Sequence, residues 1–306
     1  MTIEEQQTRQ PILTWLKGFG MGAADVVPGF SGGTVALLTG IYEELVTAIS
    51  HFDKTLVGHL AKFDLRAAAR HINFPFLAML ILGIGCGFIT SMLTIHKLLK
   101  SPETSPYVFA VFAGLILGSS RFLWRAIQKI RAIGPGEIVL MLIGVGVAAG
   151  ISSLTETLVV NPPLWFIFMC AVIAICAMIL PGISGAMMLM IFGVYHYLLG
   201  IGDNVIHARE LPRSLTICVT FGLGCAVGLI GFSRFLKWLF ATRPAGTMCV
   251  LFGLMLGSVV RLWPYQPIKE VTPTTPAVWV VLTVIISAVI IIAATEYADR
   301  KSSTKK

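Results

Sequence analysis

Residues 26–46 read VVPGFSGGTVALLTGIYEELV, and residues 179–199 read ILPGISGAMMLMIFGVYHYLL. The two stretches align without a gap and share Pro-Gly-x-Ser-Gly followed by Gly-x-Tyr. Proline lacks an amide hydrogen and glycine permits unusual backbone angles, so a helix stops and restarts at such a motif. Each motif interrupts an apolar segment, about 12–49 and about 164–200, that is too long for one simple membrane crossing. The pattern therefore predicts two broken helices.

The likeness between the two halves continues beyond these motifs. The motifs match at an offset of 153, and later blocks match at an offset of 139. The later matches are Gly83 with Gly222, Gly85 with Gly224, Cys86 with Cys225, Gly114 with Gly253 and Gly118 with Gly257. The change of offset places 14 extra residues in the polar stretch 51–73. Separate blocks at shared offsets indicate an internal duplication, with a first repeat at 1–155 and a second at 156–306.

Composition excludes an ordinary soluble domain. The 306 residues are 56% hydrophobic and only 12% charged, whereas soluble domains carry about 25% charged residues. Six further apolar segments are close to the length that crosses a bilayer core of roughly 30 Å. They lie at about 74–96, 107–124, 138–154, 215–233, 247–263 and 277–295. We therefore predict an all-α, multi-pass membrane protein.

The net charge is +8, and most of the basic residues lie between the apolar segments. This placement indicates contact with membrane lipids and control of orientation rather than binding of nucleic acid. The basic loops are 51–73, 121–137 and 234–246, together with the C-terminus. Such loops stay in the cytoplasm.

Loop charge favours one topology over another. If each broken segment is a re-entrant hairpin, each half has three full crossings, the halves are inverted, and both termini are cytoplasmic. If each broken segment crosses once, the N-terminus lies on the opposite side, and this alternative stays open. The favoured fold is two inverted repeats, each with a re-entrant hairpin and three transmembrane helices, as in transporters with a site near the bilayer midplane.

The restarted helices are candidate anion sites. A helix start presents unpaired backbone N–H groups and the positive end of the helix dipole, which suit a phosphate. The candidate phosphate-binding residues are Ser31, Gly32, Gly33, Thr34, Ser184 and Gly185. In an inverted pair the two starts would approach each other and hold one phosphate between them. The alternative is that each motif is a kink that only eases helix packing.

A few ionisable residues in apolar segments are candidates for proton coupling. Charges at membrane depth are costly and usually functional. Asp25, three residues before the first motif, has either a proton-linked or a structural role. Glu43 follows the first restarted helix and either takes part in proton coupling or lies solvated at the membrane interface. His196 follows the second and is either a proton-sensitive partner or a hydrogen-bonded histidine at the interface.

Arg121 and Arg125 end a predicted helix on its basic side. They either contact a phosphate headgroup on entry or anchor the helix at the interface. The sequence contains no P-loop and no His-Glu-x-x-His motif, so we expect no metal and no cofactor.

The stretches MGAADVVPGFSGGTVALLTGIYEEL (21–45) and LPGISGAMMLMIFGVY (180–195) resemble the DUF368 proteins, and the resemblance covers nearly the whole chain. It implies a polyprenyl-phosphate transporter, or flippase, of the bacterial cytoplasmic (inner) membrane. Such proteins return the carrier lipid undecaprenyl phosphate to the cytoplasmic leaflet during cell-envelope synthesis. The substrate, a lipid-linked phosphate, is implied by this resemblance alone.

The same motifs are also similar to those of undecaprenyl-pyrophosphate phosphatases, which have re-entrant inverted repeats. Those enzymes carry an arginine directly after the serine of the second motif, where this chain has Gly185. A cation is usually central to phosphoryl transfer, so we expect a transporter and not an enzyme. A proton-coupled carrier of small anions is the third alternative.

Overall fold

The computed structural model describes residues 11–27, 31–130, 132–155, 157–207, 209–262 and 276–303, and the regular elements in these ranges are all helices. Pro28, Gly29 and Phe30 of the first motif lie outside the described residues. In chain order the helices are α1 (Pro11–Asp25), α2 (Gly32–Leu38), α3 (Tyr42–Ser50), α4 (Lys54–Ala61), α5 (Leu65–His71), α6 (Phe74–Lys100), α7 (Ser105–Ile130), α8 (Pro135–Ser152), α9 (Leu164–Ile179), α10 (Gly185–Ile191), α11 (Tyr195–Ile206), α12 (Leu211–Thr242), α13 (Pro244–Gly257), α14 (Val259–Leu262) and α15 (Ala277–Ser303).

Within the described ranges, four helices are long and apolar enough to cross a membrane by length and composition, namely α6, α7, α8 and α12. Three shorter apolar helices accompany them: α9, α13 and the Ala277–Ala293 part of α15. Helix α13 has 14 residues, about 21 Å, which is less than the thickness of the bilayer core. The prediction of an all-helical membrane protein is confirmed at this level. Three full crossings in each half stay a prediction.

One face of α12 shows how these helices meet the membrane. Leu215, Val219, Leu223 and Val227 recur every four residues and are 50%, 60%, 57% and 56% exposed. Residues at this spacing lie on one side of a helix. A continuous uncovered apolar face on a 32-residue helix suits contact with lipid, where the helix satisfies its own backbone hydrogen bonds.

The main helix contacts of the first half have counterparts in the second half. Helix α1 packs on α6 in the first half, as α9 packs on α12 in the second. Between the halves, α8 packs on α13 and α7 packs on α15. A Cβ added at Gly253 would collide with the Met141 carbonyl, so this glycine permits close approach of α13 to α8.

Each broken segment also turns sharply after its restarted helix, which the sequence analysis did not predict. The restarted helices α2 and α10 are seven residues long. They end at Leu38 and Ile191, and the chain then turns at Gly40 and Gly193, whose φ angles of 72° and 76° favour glycine. The next helices begin at Tyr42 and Tyr195, and α10 and α11 differ in direction by 108°. The turns are closed by corresponding bonds, from Ile41 N–H to the Ala36 carbonyl and from Val194 N–H to the Leu189 carbonyl. The Gly-x-Tyr shared by the two halves was the sequence signal for this turn.

The extra residues of the first half form α4 and α5 and attach to α12 through a polar cluster. His51 Nδ1 lies 2.7 Å from the His71 carbonyl oxygen, and Lys237 Nζ lies 2.9 Å from His51 Nε2. His71 Nε2 in turn lies 2.9 Å from Asp53 Oδ1. Because an ammonium can only donate, His51 Nε2 accepts from Lys237, and the His51 ring is neutral with its proton on Nδ1.

This cluster predicts a pH-dependent attachment of α4 and α5 to α12. Burial lowers the pKa of His51, and the Lys237 ammonium lowers it further, although the His71 carbonyl opposes the shift. The unfolded chain therefore binds the proton more readily than the folded chain as the pH falls through about 6.5. Stability from this contact is present above that pH and is lost as the pH falls through the lower pKa of the folded state.

We expect the unfolding temperature of the wild type to fall more between neutral pH and pH about 5 than that of His51→Gln, which cannot gain this proton. Hydrogen bonds from the Leu56 amide and the His71 ring hold the pKa of Asp53 at about 2, so Asp53 does not titrate in this range. Equal pH dependence of the two proteins would show that His51 does not control the contact.

Candidate functional site

The two breaks meet in the protein interior. Ser31 Oγ lies 3.1 Å from the Met178 carbonyl oxygen, and the Gly182 N–H donates to Thr34 Oγ1 at 2.9 Å. Ser31 and Thr34 are 1% and 0% exposed. Non-helical backbone at membrane depth needs such partners, since lipid supplies none. The structure therefore brings the two Pro-Gly-x-Ser-Gly regions, far apart in sequence, into direct hydrogen-bond contact.

Gly33 lies at a close approach of the two broken segments. A Cβ added to Gly33 would overlap the Ile179 carbonyl at the end of α9. This neighbour is a backbone group, which cannot move away by changing rotamer as a side chain can. Gly33 is also buried within the first turn of α2. The residue therefore has a packing role in addition to the phosphate contact predicted for it.

A carboxyl group of the same segment already occupies the start of α2. The Gly32 N–H donates to Asp25 Oδ1 at 2.7 Å, and the Gly33 N–H donates to Ser31 Oγ at 3.1 Å. A carboxylate stabilises a helix start by pairing with free amides and with the positive end of the dipole. This contact agrees with the structural role considered for Asp25. A phosphate that bound the same amides would have to replace the carboxylate.

The start of α10 is open by contrast. Ser184 caps this helix with extended backbone angles, φ −95° and ψ 129°, and its side chain makes no capping bond. Across the described ranges, the Gly185 and Ala186 amides also have no hydrogen-bond partner. Ser184 is half-buried and Ala186 is exposed, whereas Gly185 between them is buried. The second break thus offers the Ser184 hydroxyl and the Ala186 amide to an anion.

Glu43 and His196 lie away from the motif serines. Glu43 is exposed in the first turn of α3. His196 is exposed beside Tyr195, with a ring separation of 5.5 Å. It lines a cavity of about 340 Å³ with Thr157 and Gly193, at the opposite end of α10 from Ser184. Proton coupling by either residue stays a prediction.

Arg121 and Arg125 both approach one carboxylate. Their guanidinium nitrogens lie 3.4 and 3.5 Å from Glu296 Oε1, and all three side chains are partly exposed. The pairs connect α7 to α15. Exposed ion pairs of this kind contribute little to stability. A headgroup contact by these arginines stays a prediction.

Metal chemistry has no candidate in the described ranges, because no three His, Cys, Asp or Glu side chains are placed to share an ion.

Apolar helices with lipid-facing sides, joined through two interrupted helices, define a multi-pass membrane protein. Residues 21–296 match the family described as VCA0040-like, undecaprenyl phosphate translocase-like, and the chain belongs to this family. The resemblance seen in the motifs is thereby confirmed.

Two curated relatives agree with this family. A protein of Vibrio cholerae serotype O1 named "Polyprenyl-phosphate transporter" is 37% identical over 262 residues, which cover 85% of this chain and 80% of the relative. A protein of Staphylococcus aureus with the same name is 28% identical over 260 residues, covering 82% and 86% respectively. Both names describe transporters and not enzymes. No solved structure matches.

The contact between the breaks predicts a selective effect of Gly33→Ala. Alanine normally favours a helix over glycine by about 1 kcal/mol, but here its methyl group would meet the Ile179 carbonyl. We expect a lower unfolding temperature and weaker transport. Gly146→Ala is the control, because a Cβ at that helical glycine meets open space. A Gly33→Ala protein as stable as Gly146→Ala would contradict the close approach.

Proposed function

We propose that this protein moves a polyprenyl phosphate, such as undecaprenyl phosphate, across the bacterial cytoplasmic membrane and does not hydrolyse it. The family match over residues 21–296 carries this conclusion, and two relatives named polyprenyl-phosphate transporters support it. The meeting of the two breaks adds a location, because it places polar groups and helix starts inside a membrane protein. A phosphate headgroup needs such groups wherever lipid excludes water.

We propose further that residues 1–155 and 156–306 are inverted repeats, each a re-entrant broken segment followed by three crossing helices. Three observations support this architecture. The turns at Gly40 and Gly193 have similar φ angles and corresponding closing bonds. The contacts of α1 with α6 and of α9 with α12 correspond. The contacts of α8 with α13 and of α7 with α15 are exchanged between the halves, as a two-fold relation requires.

The proposed orientation places both termini and the basic loops in the cytoplasm. Single cysteines introduced in 51–73 and in 200–214, in a chain freed of its six natural cysteines, test it. Cysteines in 51–73 should react with an impermeant thiol reagent only from the cytoplasmic side, and those in 200–214 only from the other. Labelling of both stretches from one side would refute three crossings between them.

The proposed phosphate site combines Ser31, Gly32, Gly33 and Thr34 with Ser184 and Gly185. The open start of α10 is its first contact, because the Ser184 hydroxyl and the exposed Ala186 amide have no partner among the described residues. The start of α2 joins when the Asp25 carboxylate releases the Gly32 amide. Protonation of Asp25 would favour that release, which links this residue to a proton.

Asp25→Asn should then remove part of the pH dependence of transport, and an unchanged pH profile would exclude the link.

A paired assay in vesicles tests the function itself. Purified protein should carry a labelled undecaprenyl phosphate between the leaflets without releasing inorganic phosphate. Release of phosphate from undecaprenyl pyrophosphate would instead indicate the phosphatase alternative. Movement of a small anion such as inorganic phosphate, with no movement of the lipid, would indicate a small-anion carrier.

The two serines should differ in this assay. Ser184→Ala removes a hydroxyl that has no partner among the described residues, so we expect weaker headgroup binding, by roughly threefold to tenfold, at unchanged stability. Ser31→Ala removes the cap of α2 and its bond to Met178, so we expect a loss of about 1 kcal/mol of stability in addition. Normal transport and lipid binding in Ser184→Ala would exclude the second break from the site.

A further inference from the structure

A groove of about 770 Å³ runs between α8, α12 and α13. On α8 its wall is Leu140, Ile143, Gly144 and Val147, which recur at the three- and four-residue spacing of one helix face. Phe235 and Leu236 line it from α12, and Val250 and Leu251 line it from α13. The volume lies within the range of about 300–1,000 Å³ typical of ligand pockets. Because these lining side chains are aliphatic or aromatic, the walls are apolar along most of the groove.

The groove opens sideways and not only at its ends. Ile143, Val147 and Phe235 line it and are 52%, 46% and 48% exposed, whereas Leu251 at its base is 2% exposed. The three helices that form it are apolar helices of the membrane region. A chain in the surrounding lipid can therefore enter the groove without passing through water.

The two ends of the groove differ in chemistry. One end holds Thr242, Arg243 and Glu137. The Glu137 carboxylate accepts a hydrogen bond from the Gly134 amide. The exposed guanidinium of Arg243 forms no ion pair within the described ranges. Arg243 is thus a cation available to a phosphate at this end.

The other end reaches the second break. Leu180 precedes Pro181 of the motif and lines the groove, as does Leu254 of α13. A Cβ added at Gly182 would lie 2.5 Å from the Leu254 carbonyl oxygen, so the break rests against this part of α13. From Pro244 to Leu254 a helix rises about 15 Å, roughly half the thickness of a bilayer core. The groove therefore joins a basic membrane interface to the depth of the break.

We propose that this groove holds the isoprenoid tail of the lipid-linked phosphate, with the headgroup at Arg243 before it moves to the break. The assignment rests on the proposed function and adds to it a tail site on a defined face. An apolar, laterally open groove suits a hydrocarbon chain, and a free guanidinium at its end suits a phosphate. A membrane phospholipid and a second copy of this chain are the competing occupants.

The test compares two tryptophan variants on one helix. Val147→Trp fills the groove, whereas Val139→Trp places the same side chain on α8 at a similarly exposed valine, 54%, that does not line it. Binding of geranyl, farnesyl and undecaprenyl phosphate is measured with the purified full chain. For the wild type we expect affinity to rise with chain length. Val147→Trp should bind undecaprenyl phosphate at least about tenfold more weakly, because a few methylene groups lose apolar contact.

The controls separate this inference from the proposed function. If the wild type binds undecaprenyl phosphate and Val147→Trp binds it as well as Val139→Trp does, the tail site is wrong and the transport function stands. If the wild type binds no isoprenyl phosphate of any length, the proposed function itself fails. Equal competition by a phospholipid, or a dimer lost only in Val147→Trp, would assign the groove to one of the other occupants.

Arg243→Gln tests the position of the headgroup. The wild type should prefer undecaprenyl phosphate to the alcohol undecaprenol, and the variant should lose most of this preference while its affinity for the alcohol is unchanged. An unchanged preference would remove Arg243 from the assignment.

Discussion

Interrupting a helix inside a membrane leaves backbone groups that lipid cannot satisfy, and this constraint organises the described structure. The protein meets it by pairing the two interruptions. Thr34 accepts from the Gly182 amide, Ser31 lies against the Met178 carbonyl, and Asp25 accepts from the Gly32 amide. The first two pairings require the broken segments to touch, and Gly33 permits the contact, whereas the third lies within the first segment. The arrangement of α1, α2, α9 and α10 follows from these few bonds.

The pairing also makes the two motifs unequal. The first is closed by Asp25 and Ser31, while in the second the Ser184 side chain and the exposed Ala186 amide have no partner in the part of the chain that the structure describes. The first half also has two additional helices, α4 and α5, which attach to Lys237 of α12 through His51. A duplicated sequence therefore does not make two equal sites. A structure with one closed and one open helix start has a physical basis for binding a headgroup first on one side.

The groove between α8, α12 and α13 relates this polar centre to the lipid around it. A carrier lipid has a charged head and a long apolar tail, and each part needs its own surroundings. The groove is apolar along its length, is open to the membrane, and ends at Leu180 beside the second break. The proposed route thus keeps the tail in hydrocarbon while the headgroup passes between protein groups.

Sequence alone determined the helical membrane class, the duplicated breaks and the family, because hydropathy, Pro-Gly motifs and repeat spacing are local properties of the chain. It also indicated Ser31 and Thr34, since small hydroxyl residues cap helix starts. Only the tertiary structure decided that Ser31 and Thr34 face the second motif, that Asp25 closes the first helix start, and that a groove reaches Leu180. These features depend on contacts between residues far apart in the chain, and spacing along a sequence carries no information about which distant backbone groups pair.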